Sequence, residues 1–519
     1  MSMDRSKTMV VNTQWLYVSK IAAKFLGLIS IVLVIRQLDV DVFGTYNLLL
    51  TSFVVFEILS LSAVNQVFQR FIPDFIANKE FKKFRKLVKK GILFSAGGFI
   101  LILVSLYVLK DPFASFFNIE TIDNYLYAFI IFCALFFFRN ISSILLKSLL
   151  LHKYFSILDI VNNVVRLTLY IVFLNNLNVN ILLYIESLLA IIVIIPTYII
   201  YRKYASDLDY TAKPISETKV TGKRIIRYGL FSMGNVLGQG IVGRKSDYFI
   251  VAALSNPYQI GLYAFASRLY EMVYKVLPIK DFYSVLKPLF FHKYSSTYRL
   301  EDFHKMCAFM IKVLTPVYLF PTLYIIFFGR DIISIVFDER YLDAYWAVVI
   351  LFLAKPFSPW FNTIGIITHL KERVDYEMYT KVIVVFSILA GIYGMKYFGI
   401  VGVATASSAG LVLQNLMLWF LMRKYPELKF GYRYYFKFIG MIVLLLPFAA
   451  VTQFSLNLYE FVVLSSFYLL SCIMITIYLH PFNEFDLAQL KKLSSKSALL
   501  SKSEIVIGQI YQVLPGRLK

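Results

Sequence analysis

Apolar residues in this chain recur in long blocks of about 18 to 25, the length a helix needs to cross ~30 Å of hydrocarbon at ~1.5 Å per residue. Fourteen blocks are legible, near residues 14–35, 44–63, 91–109, 125–146, 158–176, 180–201, 226–253, 259–279, 306–328, 344–368, 378–395, 399–421, 434–453 and 459–479; charges or prolines interrupt the fourth, seventh, eighth and tenth. With 59% hydrophobic and 16% charged residues, against about 45–50% and about 25% in soluble domains, a water-soluble fold would leave apolar surface uncovered. The blocks therefore predict an all-α integral membrane protein of about 14 transmembrane helices.

The first block is long, carries Lys20 and Lys24 and lacks a small-residue cleavage site, so it reads as a retained helix rather than a signal peptide. Cys133, Cys307 and Cys472 lie in or beside apolar blocks without paired spacing and suggest neither a disulfide framework nor a metal site.

A formal charge of +22 would point to nucleic acid in a soluble protein. Here its placement argues otherwise. With the N-terminus cytoplasmic, about 38 Lys/Arg fall in cytoplasmic segments and about 5 on the other side (Arg36, Lys110, Arg330, Arg340, Lys396), the asymmetry of the positive-inside rule. Both termini are thus expected in the cytoplasm of a multi-pass cell-membrane protein, with no nucleic-acid partner. The richest loop, Arg70 to Lys90, reads first as an orientation signal against anionic lipid and second as a landing site for an anionic headgroup.

The one long connection, residues 203–223, is polar and lies where two six-helix halves would join. Leu38 to Tyr46 (LDVDVFGTY) and Leu254 to Tyr263 (LSNPYQIGLY) both bridge the first and second helices of such a half. Two halves of even helix number share one orientation, so their pseudo-two-fold axis lies along the membrane normal with a substrate site between them. The expected organisation is an N-terminal lobe (1–202), a linker (203–223), a C-terminal lobe (224–425), two additional helices (426–480) and a cytoplasmic amphipathic tail (481–519).

Ionisable residues inside the blocks are costly unless they face a watery cavity or one another. Lys20 and Lys24, four apart, share a helical face. Arg244, Lys245 and Asp247 lie in the seventh block, where Arg244 and Asp247 can neutralise each other. Arg268, Glu271 and Lys275 share a face of the eighth, and Glu271 can balance one neighbour. These six cations, Lys20, Lys24, Arg244, Lys245, Arg268 and Lys275, are the expected cationic cavity, suited to phosphate or pyrophosphate. Arg166, Lys280, Lys312 and Lys355 are further cations in or at the ends of blocks. Glu57, Asp247 and Glu271 are candidate ion-coupling carboxylates, whereas Asp159 and Glu186, near block ends, read as solvated. Pro316 and Pro321, and Pro356 and Pro359 beside Lys355, can kink or break the ninth and tenth helices.

Two motifs mislead. Gly238 to Gly243 (GQGIVG) matches a dinucleotide fingerprint but follows no strand and sits in an apolar helix, where small residues serve packing or flexibility. Asp207-Leu-Asp209 looks like the acidic pair of nucleotide-sugar glycosyltransferases, but its loop is too short for a catalytic domain. No histidines pair at metal spacing and nothing supports nucleophilic catalysis. The expectation is no metal, no cofactor and no enzymatic activity.

The segments Arg36-Gln-Leu-Asp-Val-Asp-Val-Phe-Gly44-Thr-Tyr46, Arg70-Phe-Ile-Pro73-Asp, Asp247-Tyr-Phe-Ile, Ile260-Gly261-Leu-Tyr263 and Arg268-Leu resemble the oligosaccharide flippases, the polysaccharide biosynthesis membrane proteins of the multidrug/oligosaccharidyl-lipid/polysaccharide exporter superfamily. The resemblance covers the first eight helices by motif and the rest by hydropathy and order. It implies two six-helix bundles around a cationic cavity, alternating access, and outward movement of an undecaprenyl-(pyro)phosphate-linked oligosaccharide. Lys20, Lys24, Arg244 and Arg268 fit its basic cavity positions by helix and depth. Implied partners are the lipid-linked oligosaccharide, membrane lipids, and the polymerase and glycosyltransferases of the same process. Fourteen helices are also a feature of peptidoglycan lipid II flippases. Two alternatives remain: a cation-coupled multidrug exporter of the same fold, which should prefer acidic cavities, and a polytopic polysaccharide polymerase or ligase, which should carry a large extracytoplasmic loop.

Overall fold

A computed structural model describes residues 22–118, 122–211, 213–215, 220–240, 244–277, 279, 283, 300–371, 373–428, 433–479 and 485–486. Among these residues the secondary structure is helical throughout, without a strand. Among the described residues, nine helical segments are long and apolar enough to cross a membrane by length and composition. This count does not establish the expected fourteen, but one of the nine, Asp375–Met422, holds two of the expected blocks.

The chain divides into two compact units, Met1–Arg268 with Ile388–Ser407, and Leu269–Ser387 with Ser408–Lys519. These boundaries are not those of the expected lobes. Compactness reflects helix packing, whereas the expected lobes rest on the internal repeat, so the two divisions describe different properties of the chain.

In the first unit, α1 covers residues 22–37, followed by α2 (Val40–Ala77), α3 (Phe81–Val108), α4 (Lys110–Phe116), α5 (Ile122–Ser148), α6 (His152–Val172), α7 (Val179–Ser206), α8 (Gly222–Gly240), α9 (Arg244–Leu254) and the start of α10 (Pro257–Val276). α2 has 38 residues, about 57 Å of helix, so it overshoots the hydrocarbon by several turns. The basic stretch from Arg70 to Lys90, expected as a loop, is therefore mostly the end of α2 and the start of α3. Helix persists there because the stretch is amphipathic: Phe84 and Val88 are buried, while Lys82, Lys83, Arg85, Lys86, Lys89 and Lys90 are exposed. Beyond it α3 turns large apolar side chains outward, Phe94 at 70% exposure among them, as a lipid-facing helix should.

The two copies of the repeat motif meet inside this unit. Gly44, near the start of α2, and Gly261, near the start of α10, approach so closely that a Cβ on Gly44 would lie 2.6 Å from the Gly261 amide nitrogen, and one on Gly261 would overlap the Val40 carbonyl. Further along α2, α8 packs against it, with Gly229 over Val67 and Ala63 and Tyr228 edge-on to Phe71.

In the second unit, the end of α10 leads to α11 (Leu300–Asp331), α12 (Tyr345–Leu353), α13 (Ser358–Leu370), α14 (Val374–Thr380), the two ends of α15 (Val382–Met422), whose residues 388–407 belong to the first unit, α16 (Arg433–Leu445) and α17 (Leu458–Leu479). α11 runs through Pro316 and Pro321 as one helix. The tenth block does break at its prolines: α12 ends before a 3-10 turn at Lys355–Phe357, and α13 restarts at Ser358. At that break the Lys355 ammonium lies 5.2 and 5.6 Å from the ring centres of Tyr270 and Tyr274. Lys312, deep in α11, is buried and ion-paired to Asp486 of the tail; the remainder of the expected amphipathic tail lies outside the described residues. α16 and α17 pack on α11, where Tyr468 donates to the Phe320 carbonyl at 2.8 Å.

α15 is a helical hairpin. Gly399 adopts φ 59°, ψ −146°, a conformation reserved for glycine, and reverses the chain. The backbones of Gly394 and Gly402 then touch, the Cβ position of Gly394 lying 2.8 Å from the Gly402 oxygen. This turn separates the expected eleventh and twelfth blocks.

Candidate functional site

Within the first unit α1, α2, α5, α6, α7 and the start of α10 enclose a cavity of about 330 Å³. Its walls are largely apolar, with Val34, Phe43, Phe53, Phe132 and Phe136 among them. Set into these walls are Tyr46, Asn47, Glu57, Arg166, Tyr170, Glu186 and Arg268.

The most ordered charges are Arg166 and Glu186. α6 and α7 are antiparallel neighbours joined by a short connection, which brings the two side chains to one level. Arg166 Nε donates to Glu186 Oε1 at 2.7 Å and Nη2 to Oε2 at 2.8 Å, a fork-to-fork pair. Tyr170 O–H donates to the same carboxylate at 2.8 Å, and Arg166 Nη1 donates to Asn163 Oδ1 at 3.2 Å. The Glu186 side chain is 8% exposed and that of Arg166 18%. Removing either partner leaves a charge in a low-dielectric setting, at a cost of about 3–5 kcal/mol.

Arg268 is held differently. Its Nε donates to Asn47 Oδ1 at 3.1 Å, and Asn47 is fixed in turn by donating to the Phe43 carbonyl at 2.8 Å. Among the described residues no carboxylate lies within ion-pair distance of Arg268. A guanidinium seated on a neutral amide keeps its full charge for a ligand, whereas Arg166 has spent its own on Glu186. Both arginines share one chamber with Glu57, so its field is structured by two cations and two carboxylates.

The residues singled out in the sequence are distributed as follows. Arg268 and Glu57 line this cavity. Lys24 is exposed on α1, about one turn before the cavity residue Gly27. Lys275 is exposed and pairs with Glu271 at 2.7 Å, the intrahelical bridge their spacing allows. Asp247 is buried on α9 and accepts from Tyr263 O–H at 2.7 Å. Arg244 and Lys245 begin α9, directly after the glycine-rich Gly238–Gly243 segment at which α8 ends, but their side chains lie outside the described residues, as does Lys20.

Reading Glu186 as a solvated helix-end carboxylate is overturned by its burial against Arg166. Arg166, Tyr170, Tyr46 and Asn47 are the further cavity residues that sequence reasoning did not select. A signal for one pair existed: an arginine and a glutamate buried in consecutive blocks neutralise each other at lower cost than either can be solvated alone.

Among the described residues no cluster of three or more His, Cys, Asp or Glu could hold a metal ion. The described residues thus form a multi-pass helical bundle with a charged chamber set inside apolar walls. The chain belongs to the polysaccharide biosynthesis protein family, which it matches over residues 9–291. No curated protein matches its sequence significantly. Among solved structures it resembles the lipid II flippase MurJ in an inward closed conformation, at a TM-score of 0.64 and 15% identity over 90% of this chain and 99% of that one. It also resembles an inward-facing multidrug resistance transporter of the MATE family, MOP superfamily, at a TM-score of 0.60 and 14% identity over 79% of this chain and 94% of that one. These likenesses establish the fold.

Proposed function

We propose that this protein is a flippase that moves an anionic undecaprenyl-(pyro)phosphate-linked oligosaccharide from the inner to the outer leaflet by alternating access, for surface polysaccharide biosynthesis. The observation that carries this reading is Arg268, a cation lining a chamber in an apolar bundle and positioned by the neutral amide of Asn47 rather than by a carboxylate. Such a group offers a fork of N–H donors to a phosphate oxygen. Family membership supplies the glycan context, and the MurJ fold is that of a protein whose own cargo is a lipid II.

In this reading both termini are cytoplasmic, about fourteen helices form two six-helix lobes and an added pair, and the Gly44–Gly261 contact joins corresponding ends of the lobes. A membrane potential negative inside by ~100 mV favours outward movement of each negative charge by about 2.3 kcal/mol, so a pyrophosphate carrier can use the field directly. Glu57 on the cavity wall is the carboxylate placed to couple a cation if the field alone does not suffice. A cation-coupled drug exporter would leave its cavity carboxylates available to a cationic substrate, and one of the two here, Glu186, is instead held by Arg166.

The test is deletion of the gene followed by leaflet assignment of the lipid-linked oligosaccharide, using glycosidase access in right-side-out and inverted vesicles. Completed glycan held on the cytoplasmic face, and not released by complementation with Arg268→Ala, is the expected result. No accumulation, or unpolymerised units already outside, would move the assignment to an exporter or a polymerase.

A further inference from the structure

The second unit holds a separate cavity of about 410 Å³ between α13, α14 and the returning leg of α15, within the size range of small-molecule sites. We propose that it is a sugar-recognition pocket that takes a saccharide unit of the glycan headgroup. Its lining chemistry differs from that of the arginine chamber. Three amides, Asn362, Gln414 and Asn415, surround it together with the Tyr283 hydroxyl, and Phe361 provides an apolar wall. Each amide commits one N–H inside the protein. Asn362 donates to Tyr283 Oη at 2.8 Å, Asn415 to the Leu411 carbonyl at 2.7 Å and Gln414 to Thr380 Oγ1 at 3.5 Å. Their side-chain carbonyls accept nothing among the described residues.

An amide so anchored presents an oriented acceptor and a remaining donor, which matches a ring of hydroxyls that each donate and accept. Burying those hydroxyls without such partners would be unfavourable, so a polar lining of this kind selects a polyhydroxylated ligand. Phosphate is a poor fit: among the described residues no arginine lines the pocket, and Lys381 shares it with Glu377, whose Oε1 lies 3.6 Å from His369 Nε2. The aromatic side suits the C–H face of a pyranose. Trp360 packs on Phe361, with ring centres 5.3 Å apart, and on Trp419 at 6.0 Å.

The inference rests on the flippase reading for its ligand and deepens it. With cytoplasmic termini this pocket lies at the cytoplasmic end of its own helices, the side on which a headgroup is built.

Two of the chain's four tryptophans, Trp360 and Trp419, are the sequence neighbours of the lining residues Phe361 and Leu418 and serve as the fluorescent probe of the pocket's occupancy. The full-length protein in nanodiscs is titrated with the oligosaccharide released by mild acid from the host's own lipid-linked pool, followed by tryptophan fluorescence and calorimetry. Gln414→Met and Asn415→Leu, near-isosteric changes in lipid-embedded helix, are compared with Arg268→Ala, with thermal melts to verify folding. The expected result is saturable binding, weakened about tenfold or more by each pocket variant, retained in Arg268→Ala and not displaced by inorganic pyrophosphate. Absence of binding, displacement by pyrophosphate, or wild-type affinity retained in both pocket variants would overturn the pocket's assignment; vesicle transport of the intact lipid-linked glycan would then show whether the flippase reading still stands. Binding with this pattern but without vesicle transport would support the pocket and count against the flippase.

Discussion

Gly44 and Gly261 hold equivalent places in the two copies of the repeat motif and touch each other backbone to backbone. No side chain fits between them. Alanine at Gly261 must displace Val40 or separate α2 from α10, an overpacking cost of about 1–3 kcal/mol. Gly261→Ala should lower the melting temperature by a few degrees and raise the reactivity of a cysteine placed at Val40. A variant with wild-type melting and an unreactive Cys at that position would show that the contact is looser than described.

Breaking the Arg166–Glu186 pair should be costly only when one partner is removed without the other. Glu186→Leu or Arg166→Leu alone strands a charge in the bundle and should destabilise by about 3–5 kcal/mol, whereas the double variant should recover most of that loss. Melting temperatures of the four proteins in one detergent provide the cycle. Additive losses would mean that the two side chains act independently.

Gly399 should tolerate no other residue cheaply, although space is available. The nearest heavy atom to an added Cβ is Gln259 Oε1 at 3.8 Å, so the penalty of Gly399→Ala comes from its φ of 59° and ψ of −146°, about 1–3 kcal/mol. Gly365, with nothing within 4 Å of its Cβ position and helical geometry, is the control whose alanine variant should be neutral or stabilising. Equal effects at the two sites would refute the backbone explanation.

Asn47 should act through Arg268. Asn47→Ala removes the acceptor at 3.1 Å and leaves the guanidinium charged but unpositioned, so transport should fall several-fold, less than in Arg268→Ala. Arg268→Lys, which keeps the charge and loses the fork, should lie between wild type and Arg268→Ala. The order of the four rates, measured in one vesicle preparation, tests whether charge and geometry both count.

Much of this architecture was legible because lipid constrains sequence more tightly than water does. The blocks at 378–395 and 399–421 were separable by hydropathy, and Gly399 supplies the turn between them. The break at Lys355–Phe357 followed from two prolines. Pro316 and Pro321, by contrast, do not break α11, which continues as one helix through both, since tertiary context overrides local propensity. Arg268 and Glu57 could be placed by depth. The partner of Arg166 could not, since whether Glu186 faces water or an arginine depends on how α6 and α7 are rotated, and a residue near the end of an apolar block is equally compatible with both. The internal repeat pointed to Gly44 and Gly261 separately; their mutual contact is a property of the folded chain.

The most direct test of the central claim is reconstitution. Purified protein is placed in sealed proteoliposomes with the host's lipid-linked oligosaccharide, and the fraction reached by added glycosidase is followed with time. The expected result is protein-dependent exposure of lumenal glycan, about tenfold slower or more with Arg268→Ala, consistent with loss of a charge-assisted bond of about 1.5–3 kcal/mol. Exposure that is independent of the protein, or equally fast with Arg268→Ala, would contradict it.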